Sequence, residues 1–138
     1  MPVYYEIPAA DVPYAKRQVV ERAVQTACHH LGIRLWPVIR WFTEEDDAQR
    51  AFVATSGEVS HRLTADGGIL EGRTVYGEDA VWIRASAALE ELPVTAAHEV
   101  AHLALGRVWG LAVTALERAY LEGLAEAYGR RYRMETRP

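Results

Sequence analysis

Apolar residues recur at helical spacing through Val20, Val24, Ala27, Cys28 and Leu31, while Lys16, Arg17, Glu21, Arg22 and Gln25 fill the other face. This pattern predicts an amphipathic helix that opens near Asp11 and Pro13 and closes at Gly32. The period then changes. Ile33 to Phe42 and Ala51 to Thr55 are rich in branched and aromatic residues and read as strands, with Pro37 marking the first as an edge or bulged strand. Asp66-Gly67-Gly68 and Tyr76-Gly77-Glu78-Asp79 mark turns. The segments that follow them, Ile69 to Tyr76 and Ala80 to Ser86, read as a hairpin. In its second arm Val81, Ile83 and Ala85 alternate with Trp82 and Arg84. From Leu92 the helical period returns as far as Leu105 and Gly106, and again from Leu111 to about Arg133.

Helix, three or four strands, helix, helix is an α+β order, with the helices packed on one mostly antiparallel sheet. Residues 1–12 form an extended lead-in. Its Tyr4-Tyr5-Glu6 stretch is either a strand packed on the sheet or a built-in peptide laid along a substrate edge. The 138 residues, half of them apolar and a quarter charged, predict a single domain with a real core. The lone cysteine, Cys28, excludes an intramolecular disulfide framework and any cysteine-cluster zinc site. A net charge of −4 gives no reason to expect nucleic acid as a partner. The sequence has no apolar run of membrane-spanning length, and its start lacks a basic and then apolar leader, so a cytoplasmic protein is expected.

One motif carries chemistry. His98-Glu99-Val100-Ala101-His102 falls inside a predicted helix. Four residues turn a helix by about 400°, so both imidazoles project from one face about 6 Å apart and can share a divalent metal. Glu99 is rotated away from the metal yet able to reach a water on it, as a general base requires. After His102 the sequence contains no His, Asp or Cys, so a further ligand must be Glu117, Glu122, Glu126 or Glu135. Glu122 and Glu126 share a helix face at i and i+4, whereas Glu117 points elsewhere and Glu135 lies near the end. The pair suggests one ligand and one carboxylate that orients a ligating imidazole through its other N–H. Elsewhere, the acidic run Glu44 to Asp47 reads as a solvated hairpin tip, and His29 and His30 as cations at a helix C-terminus.

His98-Glu99-x-x-His102, nineteen residues and then Glu122 resembles the thermolysin-like gluzincin metallopeptidases, and Glu122-Gly123-Leu124-Ala125-Glu126 is similar to their ligand-helix segment. Length and element order are similar to the minigluzincins. The resemblance implies a zincin-like fold and one zinc ion per chain held by His98, His102 and Glu122, with Glu126 behind the ligands. It implies Glu99 as general base for water attacking a peptide bond, and a peptide or protein substrate. It also implies that Val81, Trp82, Ile83, Arg84 and Ala85 form the edge strand that binds the substrate. An oxyanion-stabilising Tyr or His is part of the pattern, and Tyr128 and Tyr132 are the nearby tyrosine candidates. A mobile-element or phage origin fits so small an enzyme. The alternative is a zinc-binding regulatory or binding module of the same fold with little hydrolytic activity.

Overall fold

The structure is a computed structural model and describes residues 3–44, 50–53, 59–63, 70–109 and 115–133. Most of the acidic run and the Asp66-Gly67-Gly68 turn lie outside the described residues, as does Glu135. Six strands are present: β1 (Val3–Ile7), β2 (Val38–Thr43), β3 (Arg50–Val53), β4 (Val59–Leu63), β5 (Leu70–Val75) and β6 (Ala80–Arg84). Three α-helices accompany them: α1 (Tyr14–His30), α2 (Leu92–Trp109) and α3 (Ala115–Arg130). The strands form one mixed sheet in the order β3-β1-β2-β6-β5-β4. Only β2 and β6 pair in parallel; the other neighbours are antiparallel. The architecture is therefore α+β, as the order of elements predicts, with more strands than expected.

β4 is unforeseen, and of the two expectations for the lead-in the packed strand holds, as β1. The lead-in is an interior strand, hydrogen-bonded to β2 and β3, and Glu6 pairs with Arg40 at 3.0 Å. The Tyr4-Tyr5-Glu6 stretch is thus built into the sheet and is not laid along a substrate edge. Pro37 precedes β2 and does not lie within it, because a residue without an N–H cannot join a ladder. With the proline outside, β2 is free to sit in the interior of the sheet.

The expected edge strand is also interior. β6, which carries Val81, Trp82, Ile83 and Arg84 and leads into Ala85, lies between β2 and β5 with both flanks paired. Ala80 to Ile83 are all buried, the signature of a strand covered on both faces and not of a half-solvated edge. The outer strands are β3 and β4.

One face of the sheet is covered by helices. Val20, Ala23, Val24 and Ala27 of α1 meet Trp41, Val81 and Ile83 of the sheet and Leu92, Ala96, Val100 and Leu103 of α2 in one core. Tyr4, Phe42, Leu70, Ala80 and Trp82 form a second cluster within the sheet. The α1 helix stops where the sequence predicts. Gly32 takes φ +70°, Ile33 N–H bonds Cys28 O at 2.9 Å, and the last carbonyls are thereby satisfied. Its start differs: Pro13 is the capping residue, and Asp11 closes a short 3-10 turn instead of capping. The α2 helix runs past Gly106 to Trp109, because one interior glycine costs only ~1 kcal/mol against a continuing hydrogen-bond ladder.

The α2 and α3 helices cross closely at Gly129. A Cβ there would stand 2.6 Å from Val94 O and 3.1 Å from His98 Cβ. Gly129→Ala is therefore expected to lose roughly 1–3 kcal/mol in urea unfolding, although alanine is the better helix former. A stabilised variant would mean that the crossing has room to spare.

Candidate metal centre

The α2 helix is buried from Leu92 to Leu103, where it packs against α1, α3 and the sheet. An apolar helix so enclosed can carry polar residues only where neighbours answer them. Thr95, His98, Glu99 and His102 are its buried polar groups, spaced i, i+3, i+4, i+7 as a single stripe. That stripe faces β4, β5 and α3, and each of these elements supplies partners.

The histidines meet as the four-residue spacing predicts. Their Nε2 atoms lie 3.2 Å apart, with ring centroids at 4.9 Å. From α3, Glu122 spans both: Oε1 is 2.6 Å from His98 Nε2 and Oε2 is 2.9 Å from His102 Nε2. Its side chain is 41 % exposed whereas the histidines are almost fully buried, so the solvent side of the centre lies at Glu122. One turn further along α3, Glu126 Oε1 accepts from His98 Nδ1 at 2.8 Å. Glu117, on the same helix, is exposed.

Glu99 lies beneath β5. Thr74 Oγ1 donates to Glu99 Oε2 at 3.2 Å, while Oε1 is buried without a hydrogen-bond partner and stands 4.0 Å from His98 Nε2. Gly72 makes this approach possible, because a Cβ there would run into Thr95 Cγ2 and crowd Glu99 Cγ. Together His98, Glu99 and His102 offer ligand atoms within 4.8 Å of one another, a group able to hold a metal ion.

The charges of the centre are strongly coupled. Burial drives the Glu99 carboxyl up to about 7 despite the neighbouring histidines, which pull it down. Burial opposes the charge on His98 as well, but the hydrogen bonds it donates to Glu122 and Glu126 and the nearby carboxylates outweigh it and hold the imidazole up at about 9. Burial would raise Glu122, yet its bonds to His102 and His98 bring it down to about 2. The bond from His98 likewise holds Glu126 below the usual carboxylate range, with help from Arg62.

These shifts set the pH profile of the metal-free fold. Glu122 contributes stability that is complete above 4.5 and lost as pH falls through 2. The raised Glu99 erodes stability as pH climbs from 4.5 through 7, and His98 from 6.5 through 9. The melting temperature of the chelator-treated chain is thus expected to peak near the lower end of this range and fall towards pH 9. Glu99→Gln should flatten the part between 4.5 and 7. A melting temperature that rises steadily from pH 5 to 9 would contradict this balance.

Two tyrosines of the expected site lie elsewhere. Tyr128 and Tyr132 hydroxyls meet each other at 2.8 Å, and Tyr132 also meets His30 Nδ1 at 3.4 Å. Both rings pack against the α1–α2 core. Tyr128 is two residues beyond Glu126, about 200° around the helix, so it cannot share the face of the metal centre. The structure also adds partners that spacing along the chain does not signal. Arg62 of β4 binds both Glu126 of α3 and Thr95 of the stripe, and Thr74 of β5 binds Glu99. The small Gly72 and Thr74 on one face of β5 are the only sequence sign of that close approach.

The fold and the centre define an α+β protein with a buried His-Glu-His group suited to a metal. The chain matches no known family, no curated protein and no solved structure. Among the described residues, no helix is long and apolar enough to cross a membrane.

Proposed function

We propose that the chain is a zinc-dependent peptidase of gluzincin type with a zincin-like fold. In this reading His98, His102 and Glu122 hold the ion, Glu126 orients His98, and Glu99 is the general base. The observation that carries the reading is the convergence of both Nε2 atoms on one carboxylate beside a buried, unpartnered carboxylate oxygen. The donor set fits the ion. Bonds of ~2.0–2.1 Å in a tetrahedron set neighbouring donors about 3.3–3.4 Å apart, close to the 3.2 Å between the imidazole nitrogens. His98 Nδ1 is occupied by Glu126, which leaves Nε2 for the metal.

When bound, zinc would act as a Lewis acid that polarises a carbonyl and acidifies water. Glu99 Oε1 would accept the proton of the attacking water and release it to the departing amine. Thr74 would hold the other carboxylate oxygen, so that Oε1 keeps one direction. The outer edge of β4, which pairs with no further strand among the described residues and lies next to α2, would be where an extended peptide adds as a further strand.

Metal analysis together with a peptide-library cleavage assay tests the proposal. One zinc per chain and chelator-sensitive cleavage are expected. The second reading, a zinc-binding regulatory module, is favoured by the tyrosines that face away from the centre and would be indicated by bound zinc without cleavage. A chain prepared without chelator that holds no metal would overturn both.

A further inference from the structure

Arg62 is a buried cation with several polar partners, and the peptidase reading leaves it without a role. It comes from β4, at the margin of the sheet, with its side chain 11 % exposed. Its guanidinium faces α3, α2 and the turn before α2. Nε donates to Glu126 Oε1 at 2.9 Å and one terminal nitrogen to Oε2 at 3.3 Å, a two-point grip on the carboxylate. The other terminal nitrogen donates to Thr95 Oγ1 at 2.9 Å, and Glu91 stands 3.5 Å away. Glu126 Oε1 receives both Arg62 Nε and His98 Nδ1. The chain of contacts therefore runs from the outermost strand, through one carboxylate oxygen, to a histidine of the metal centre.

We propose that Arg62 is a positioning residue for the metal centre: by fixing Glu126 it sets the ring orientation of His98 and ties the placement of strand β4 to the readiness of the site. The inference rests on the metal-binding part of the proposed function. The physical reason is geometric. A glutamate reaching inward from α3 has freely rotating torsions, and a single bond to an imidazole does not define its plane. A planar, permanently charged fork that grips both oxygens does define it, and the bond to Thr95 anchors that fork to α2 itself. Arg130 also touches Glu126, at 3.2 Å, but is 66 % exposed and contacts it from solvent, where ion pairs hold little. A β4 strand displaced from β5 would carry Arg62 away and release His98. The same strand edge that would receive a peptide is therefore mechanically linked to the ligand set.

The test measures zinc affinity by chelator competition on the full chain, with circular dichroism confirming the fold of each variant. Arg62→Met is expected to weaken zinc binding by about 10–100-fold, as loss of a ligand-orienting partner does, and Arg62→Lys by less. In a Glu126→Gln background the further loss from Arg62→Met should largely vanish, which a general structural role would not produce. Affinity within about three-fold of wild type in folded Arg62→Met overturns the inference. Should that variant fail to fold, Arg62→Lys decides: an ammonium lacks the planar two-point grip on the Glu126 carboxylate, so wild-type affinity there overturns it too. A wild-type chain that binds no zinc removes the metal reading and this inference with it. Tight wild-type binding with unaltered variants removes this inference alone.

Discussion

Replacing Glu99 with Gln is expected to lower peptide cleavage by about 10²–10⁴-fold, the range a positioned general base supplies, while zinc stays bound. The separation of the two effects is the point of the experiment. Glu99 Oε1 is 4.0 Å from His98 Nε2, whereas both Glu122 oxygens lie within 2.9 Å of a histidine. Glutamine keeps the shape, and Thr74 can still donate to its carbonyl oxygen, so the buried site is disturbed little. Removing a carboxyl that burial drives up to about 7 should also leave the metal-free fold no less stable at neutral pH. Steady-state cleavage and metal content on the same samples check both statements. Full activity in Glu99→Gln would mean that the proton is taken elsewhere and would end the proposed mechanism. Loss of zinc together with activity would show Glu99 to be a ligand instead.

The second large effect concerns the ligands. His102→Ala and Glu122→Ala are expected to abolish tight zinc binding, whereas Glu117→Ala, on an exposed face of the same helix, should change it little. The consequence reaches stability. Zinc at 100 times its dissociation constant stabilises a fold by about 2.7 kcal/mol, so chelation should lower the wild-type melting temperature by roughly 10 °C. The ligand variants should melt at the same temperature with and without chelator. Metal-free, His102→Ala also leaves a cavity at an almost fully buried position, while Glu122→Ala removes a half-exposed side chain. Metal-free His102→Ala should accordingly be the less stable of the two. Differential scanning calorimetry with added zinc or EDTA measures each shift. Equal zinc affinity in Glu122→Ala and Glu117→Ala would refute the choice of third ligand.

The six-stranded sheet also changes where a substrate is sought. With β6 paired on both sides, alternation of Val81, Ile83 and Ala85 with Trp82 and Arg84 does not indicate an edge. Trp82 is buried against Arg40 and Arg73, whose guanidinium carbons stand 5.7 and 5.5 Å from its ring centre, so the apparently solvent-facing side of the strand is covered. The outer strand near the centre is β4, and its sequence, with Ser60, His61 and Arg62 in the middle, carries too little apolar pattern to announce a strand. The lead-in strand β1 is short, and a five-residue segment bounded by Pro8 does not by itself distinguish a strand packed on the sheet from a peptide laid along an edge; its pairing with β2 and β3 does.

By itself the sequence determined the helices and the heart of the centre. The amphipathic repeat of α1 with Gly32 behind it, the His-Glu-x-x-His spacing and the i, i+4 pair Glu122 and Glu126 are local patterns, and helix geometry turns each into a spatial statement without any knowledge of the fold. Tertiary structure alone decided the rest: that α2 is buried from Leu92 to Leu103, that Glu99 is buried with it and its carboxyl driven up to about 7, and that the Tyr132 hydroxyl meets Tyr128 and His30. It also decided that an arginine 36 positions before His98 completes the environment of that histidine. Spacing along one helix is fixed by its covalent repeat. Which strand lies beside that helix depends on how the whole sheet is ordered, and that order is written in pairings between distant segments whose individual sequences are nearly interchangeable.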